Sequence, residues 1–301
     1  MPPGGGFLLM DKPLQILSLG GGVQSTVVFL MSCIGELPRL DHSLFADTKW
    51  EPPWVYDHLC WLRERADEFG IPLTTVSAGN LREHAMEGII RGNKGDGERY
   101  ASMPLRILNP DSSQIMIRRQ CTREYKIDPI DRFIRYELLG LKKGQHAPRK
   151  CVDMWFGISA DELRRVRTSQ VHWKDHVYPL VGLPNEMLPK PYHRSDCIEW
   201  LRSHYPGHIV RKSACIGCPF RDNIGWAEIK ADPQTWADAV EVDEAVRHAD
   251  QMGGTAYLHK SYKPLAEAGI GEYDHDNPQM ELFSCDDDDD MRQECTGYCG
   301  D

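Results

Sequence analysis

The chain has little of what would place it in a membrane. Its longest uninterrupted apolar run is the short Val27–Met31 stretch, well under the roughly 18–20 residues a helical span requires. Its opening residues, MPPGGGF, carry no basic region leading into an apolar core, so a cytoplasmic protein without a membrane partner is expected. Positive charge is also short: 35 Lys and Arg stand against 45 Asp and Glu, a net charge of −10, which argues against attraction of the whole protein to nucleic acid. Neither the dinucleotide fingerprint G-x-G-x-x-G nor a P-loop ending in G-K-[ST] occurs, and there is no internal repeat. What is present is an ordinary globular composition, 41% hydrophobic and 27% charged over 301 residues. That length suits one large domain or a domain with a smaller appendage.

The first 80 residues alternate in period. Leu14–Leu19 reads as a short apolar strand, Ser25–Ile34 as an apolar helix and Ser43–Ala46 as a second strand. Val55, Leu59, Leu62, Ala66 and Phe69 fall at helical spacing, Gly70 is placed to cap that helix, and Ile71–Val76 supplies a third strand. Strands separated by helices predict α/β architecture: a parallel twisted sheet with helices on both faces, of the Rossmann-like nucleotide-binding type. Residues 88–115 are rich in Gly, Asn and Ser and read as an irregular excursion, followed by a helix over Ile127–Leu139. Val152–Ser159 reads as a further strand, and Ser159 with Glu162 forms the S-x-x-E pattern that would start a helix through Arg167. Helices are expected near Asp196–His204 and Pro233–Ala249. The expected division is a nucleotide-binding domain over 1–180 and a smaller helical, cysteine-containing region over 181–301.

Charge is unevenly distributed. Between Arg118 and Lys150 ten basic residues stand against four acidic ones, leaving the remainder of the chain at −16. This local excess favours either a polyanionic partner or a solvated helix face. The acidic run Asp286–Asp290 reads as a solvating patch.

The sequence LSLGGGVQST places three glycines and two hydroxyls where the first strand meets the first helix. Free N–H groups at the positive end of a helix dipole bind phosphate, and glycines admit close approach of the anion. A tight structural turn is the alternative.

Ten cysteines in a chain without a secretory leader point to packing, metal or redox chemistry rather than disulfides. Cys33, Cys60, Cys151 and Cys197 are isolated and adjoin apolar residues, as packing thiols do. Cys285 carries no pattern. Cys215-Ile216-Gly217-Cys218-Pro219 is a C-x-x-C turn able to offer two thiolates to zinc or an iron–sulfur cluster. Cys121, flanked by Arg119, Arg123 and Lys126, is the candidate third ligand. A structural zinc site and a free dithiol are the other readings.

Four segments, in order over roughly residues 14–220, resemble the PP-loop ATP pyrophosphatase superfamily, in its phosphoadenylylsulfate reductase-like branch. Gly21-Gly22-Val23-Gln24-Ser25 is similar to the loop S-G-G-x-D-S, with Gly20 where the first serine is usual and Gln24 in place of the aspartate. Phe45-Ala46-Asp47-Thr48 with Glu51 and Tyr56 resembles that branch's second-strand signature. Gln120-Cys121-Thr122-Arg123-Glu124-Tyr125-Lys126 with Pro129 and Ile130 resembles C-C-x-x-R-K-x-x-P-L. Trp155-Phe156-Gly157-Ile158-Ser159 followed by Arg164 and Arg165 resembles W-x-G-x-R-R.

The resemblance implies an adenine nucleotide alpha hydrolase-like fold. It implies ATP and Mg2+ held by Ser18, Gly20, Gly21, Gly22, Gln24, Ser25, Thr26, Asp47, Thr48 and Gly157, with Arg123, Lys126, Arg164 and Arg165 stabilising phosphate charge. Cluster-containing reductases carry a Cys-Cys pair where this chain has Gln120-Cys121. Three cysteines, Cys121, Cys215 and Cys218, resemble instead the [4Fe-4S] ligand set of the tRNA 2-thiocytidine thiolases and the DNA phosphorothioation pyrophosphatases. The terminal Glu294-Cys295-Thr296-Gly297 is similar to the reductases' E-C-G-x-H, without its histidine and with Cys299 nearby. Cys295 is accordingly a nucleophile or relay cysteine, a fourth ligand, or an incidental thiol in a tail. The implied activity is ATP-dependent adenylation of a nucleic-acid or nucleotide acceptor for sulfur insertion. A cysteine desulfurase is the expected sulfur donor, since the chain has no pyridoxal-phosphate signature. The alternatives are a reductase releasing sulfite and a non-catalytic nucleotide-binding adaptor of a sulfur-modification complex.

Overall fold

The computed structural model describes residues 12–87, 103–247 and 253–272. The chain opens with β1 (Leu14–Ser18), α1 (Val23–Ile34), β2 (His42–Ala46), α2 (Pro53–Phe69), β3 (Leu73–Val76) and α3 (Leu81–Glu87). After a β4–β5 hairpin (Arg106–Leu108, Gln114–Met116) comes a helical run containing α4 (Asp128–Phe133), then β6 (Val152–Phe156) and β7 (Lys174–Val177). The chain continues through α5 (Arg194–His204), α6 (Asn223–Ala231), α7 (Pro233–Arg247) and β8 (Thr255–Tyr257).

Five strands form one parallel sheet in the order β3-β2-β1-β6-β7. The chain therefore builds outward from β1 on one side, then returns to build outward on the other. The crevice beyond the carboxyl ends of β1 and β6, where that direction switches, is the ligand-binding position of open α/β sheets.

Both faces of the sheet are covered, which is why its strands are apolar on alternate residues pointing each way. Leu17, Trp155 and Val177 pack with α1, α2 and α5. Ile16, Leu44, Met154 and Phe156 pack against Ile130 and Ile134 on the other face. Helix α1 is buried from Val23 through Cys33 because α2 and α5 both lie against it. Gly35 and Gly70 end α1 and α2 in the left-handed conformation, each returning its N–H to a carbonyl of the last turn.

Several local expectations are corrected. The segment 88–115 is not irregular throughout: residues 106–116 form the hairpin, which pairs antiparallel with β8, while 88–102 lie outside the described residues. The strand β7, K-D-H-V, has no apolar pattern to reveal it. Its buried Lys174 bonds Asp131 at the end of α4's first turn, so an ion pair does the work of a hydrophobe there. The Ser159–Glu162 capping pattern does not start a long helix. The turn Ala160–Arg165 is kinked at Glu162 (φ −116°, ψ 21°) and ends where Val166 becomes extended, and the Ser159 hydroxyl donates to Asp161.

Two of the cores draw residues from both sides of residue 180. Cys197, Ile198, Trp200 and Leu201 of α5 pack with α1 and β1. A second core joins Trp50, Leu81, Met103, Ile107 and Tyr125 to Cys215, Trp226, Ile229 and Val242.

Candidate nucleotide site

The turn from β1 into α1 is built for close approach. Gly21 adopts φ +77°, and a Cβ there would stand 3.4 Å from the Phe45 ring and 3.5 Å from Ser213 Oγ. Ser213 donates to the Gly20 carbonyl at 2.6 Å, tying the turn to the later half of the chain. Gly22, the N-cap of α1, has no side chain with which to bond the first N–H groups, and no acidic residue lies in the first turn. These are the conditions under which a helix N-terminus accepts an anion. From the other side Gly157, at the end of β6, comes so near that an added Cβ would lie 2.4 Å from Ser25 N and 2.7 Å from the Gln24 carbonyl carbon. Beside the turn, Ser18, Leu19, Gly20, Phe45, Ala46, Lys126 and Ile130 line a small pocket at the carboxyl ends of β1 and β2.

Gln24 is buried, and its amide faces two different environments. Its Nε2 donates to Glu162 Oε2 (3.1 Å) and Ser159 Oγ (3.4 Å), while its Oε1 accepts from Arg194 Nη1 (2.9 Å). Glu162 in turn pairs with Arg165, both buried. A carboxylate at 24 would face Glu162, so an amide is what this position requires.

The second-strand residues converge as well. Asp47, buried, accepts from Lys49 N (2.7 Å) and the Tyr56 hydroxyl (3.0 Å). Burial and the adjacent Asp47 carboxylate push the Tyr56 phenol upward, so it stays a donor. Thr48 Oγ1 donates to Glu51 Oε1 (3.0 Å) and lies 3.3 Å from Cys215 Sγ, which itself donates to Glu51 Oε1 (3.4 Å). Lys126 Nζ stands 3.8 Å from the same oxygen. Three segments far apart in sequence thus meet on one buried carboxylate, whose second oxygen has no hydrogen-bond partner among the described residues.

The C-x-x-C turn is held from behind. The fully buried Arg221 donates to the carbonyls of Ala214 (2.6 Å), Cys215 (3.1 Å) and Ile216 (3.2 Å), and Cys218 N closes the turn on Cys215 O. Gly217 lies against Trp50, where a Cβ would be 2.2 Å from a ring carbon. Trp50 Nε1 is anchored on Asp238.

Cys121 sits half-buried on the first turn of the helix that carries Lys126, a stretch wound with widened i→i+5 turns. It packs against the core to which Cys215 belongs, and Arg119 lies over the Phe220 ring at 5.2 Å. The donor chemistry therefore suits a thiolate-held group, with two segments adjoining and basic residues beside them. As the side chains stand, no three His, Cys, Asp or Glu among the described residues are gathered at metal-binding distance.

Of the charged candidates, Lys126 lines the pocket and Arg165 joins the Gln24–Glu162 network. Arg123 is exposed beside Asp128 (3.9 Å), and Arg164 is exposed on the turn after β6. Cys285, Cys295 and Cys299 lie outside the described residues. Sequence reasoning missed Arg194, Ser213, Arg221, His58 and His208. None belongs to a motif, and only the fold brings them in.

Comparison with protein-family models, curated proteins and solved structures finds no match to this chain.

Proposed function

We propose that the protein is an ATP pyrophosphatase of adenylating, sulfur-inserting type, acting on a nucleic-acid or nucleotide acceptor. The observation that carries this reading is the meeting of Thr48, Cys215 and Lys126 on Glu51 beside the glycine turn. It puts a thiol segment against the same sheet edge that offers anion-binding amides. Either feature alone has ordinary structural uses; their adjacency suits chemistry that joins phosphate activation to sulfur.

In this reading the N–H groups of Gly20–Gly22 and the Ser25 hydroxyl receive the ATP phosphates together with Mg2+, and Lys126 neutralises charge as it develops. Adenosine occupies the ends of β1 and β2 near Asp47 and Thr48. An acceptor oxygen attacks the α-phosphorus, pyrophosphate leaves, and the acceptor becomes an AMP ester. A sulfur nucleophile then displaces AMP at the acceptor atom. Cys121, Cys215 and Cys218 would hold a [4Fe-4S] cluster, which when bound supplies an iron with an open position for sulfur; zinc is the competing occupant. A cysteine desulfurase would supply the sulfur as a persulfide, with a thiol reductant giving the two electrons that bring it to the sulfide level of the product. Of the charged residues between 118 and 150, Arg118, Arg123, Arg132, Lys142, Lys143, Arg149 and Lys150 are exposed against Glu137 alone among the acids, which favours a polyanionic acceptor.

The test is an oxygen-free reaction with ATP, cysteine, a desulfurase, a thiol reductant and DNA or tRNA. AMP, pyrophosphate and acceptor-bound sulfur should appear in equal amounts. Sulfite released from adenylylsulfate without ATP turnover would replace this reading with a reductase, and ATP binding with no turnover would replace it with an adaptor.

A further inference from the structure

Behind the glycine turn, away from the cysteines, a chain of hydrogen bonds leads from α1 toward the surface. Thr26 Oγ1, fully buried on the first turn of α1, lies 2.9 Å from His58 Nε2 of α2. His58 Nδ1 lies 2.9 Å from His208 Nε2, in the segment after α5. The half-buried His208 ring stacks on Trp61 with centroids 3.7 Å apart, and Tyr205 stands edge-on to Trp61. The charges facing this chain are Arg65, over the Trp61 ring at 5.6 Å and paired with Glu64 and Glu68, and the two histidines themselves.

Proton arithmetic restricts how this chain can be wired. Among the described residues His58 is the one hydrogen-bond partner of the Thr26 hydroxyl, so with both rings neutral Thr26 must donate to His58 Nε2. Otherwise it would remain a buried unsatisfied donor, a penalty of about 1–3 kcal/mol. His58 then carries its proton on Nδ1 and donates to His208 Nε2. A proton added to His208 from solvent would set N–H against N–H. The clash is relieved only if His58 gives up its Nδ1 proton and carries one on Nε2 instead. That N–H donates to Thr26 Oγ1, and the Thr26 hydroxyl proton is released to seek another acceptor.

We infer that His58 sets the direction of the Thr26 hydroxyl, and that an anion seated on the glycine turn is bound together with one proton taken up by the His58–His208 pair. An anion accepting from Thr26 favours the Nε2–H form of His58, which favours charged His208; by reciprocity, charging His208 strengthens anion binding. Burial holds His58 down, to about 3, with His208 adding to the effect. Burial and Arg65 lower His208 from its ordinary 6.5. The added proton therefore resides on His208. His58 is a positioning residue here, and the inference rests on the nucleotide reading of the turn.

The test uses the full chain with inorganic pyrophosphate and Mg2+, titrated calorimetrically near pH 6.5 in two buffers of different ionisation enthalpy. Proton uptake is expected with the wild type and is lost in His208→Gln, whose amide can still bond His58. Equal uptake in both proteins overturns the inference. In parallel, nitrogen NMR of the ligand-free, histidine-labelled protein at pH 8 should show His58 protonated on Nδ1; protonation on Nε2 overturns the inference without any ligand. Absence of pyrophosphate and ATP binding would instead remove the nucleotide reading, leaving the NMR result to decide the wiring.

Discussion

Replacing Gly157 by alanine tests whether the end of β6 sets the geometry of the glycine turn. Gly157 has no left-handed backbone requirement, so the substitution adds one methyl group and no backbone strain. That methyl carbon would stand 2.4 Å from Ser25 N and 2.6 Å from Ser25 Cα, whereas ordinary contact begins near 3.4 Å. The obstacles are backbone atoms of a helix buried on every side, so they cannot swing away as a flexible side chain could. The two elements must separate by about 1 Å. Overpacking of this kind costs about 1–3 kcal/mol, which for a chain of 301 residues lowers the melting temperature by roughly 1.5–5 °C. A displacement of that size at a phosphate cradle costs a further factor of about 100 in function. Thermal unfolding and ATP titration of Gly157→Ala should therefore show a small drop in melting temperature and a loss of ATP affinity of up to about a hundredfold. A variant that melts and binds ATP like the wild type would refute the packing argument and the role assigned to this contact.

Three other perturbations have defined outcomes. Gln24→Glu sets a second buried carboxylate against Glu162 and should cost about 1–3 kcal/mol at pH 7 by urea denaturation; because burial and Glu162 raise the pKa of the new group, the loss shrinks as pH falls. Gly217→Ala drives a Cβ into the Trp50 ring and should change tryptophan fluorescence, separate Trp50 from Asp238, and reduce iron retained after anaerobic reconstitution. Buried His58 and His259 have values lowered from 6.5 to about 3 and about 4. Their unfolded forms take up protons first, so stability present above pH 6.5 is lost as pH falls toward 4. At pH 5 each contributes a loss of about 2 kcal/mol, and His259→Asn should flatten that part of the stability profile.

The parallel sheet was legible because β1, β2 and β6 are short segments dominated by apolar residues, separated by an apolar α1 and by α2, whose apolar residues keep a helical period. Gly70 announced the end of α2 for the reason that makes glycine favourable there, a left-handed φ of +62°. β7 was not legible, since Lys174 reads as a surface residue until Asp131 is placed beneath it. The hairpin strands β4 and β5 have three residues each, too few to establish a period. At the site, Ser18, Gly20, Lys126, Asp47 and Thr48 could be named because they lie in contiguous motifs. Arg194 and Ser213 reach the turn from 170 and 193 residues away, and nothing in their local sequence marks them. Glu162 was legible as a residue and misread in role: its spacing from Ser159 suggested a cap, whereas its carboxylate turns inward to Gln24 and Arg165.

The most direct test of the account is calorimetric titration of ATP with Mg2+ into the wild-type protein and into Lys126→Met, the residue that lines the pocket and reaches Glu51. The account predicts saturable one-to-one binding with a dissociation constant below about 1 mM, the upper end of ordinary enzyme–substrate affinities, weakened at least about tenfold by the substitution because a buried charge-assisted contact is lost. No binding by the wild type at millimolar ATP, or identical binding by the two proteins, would contradict it.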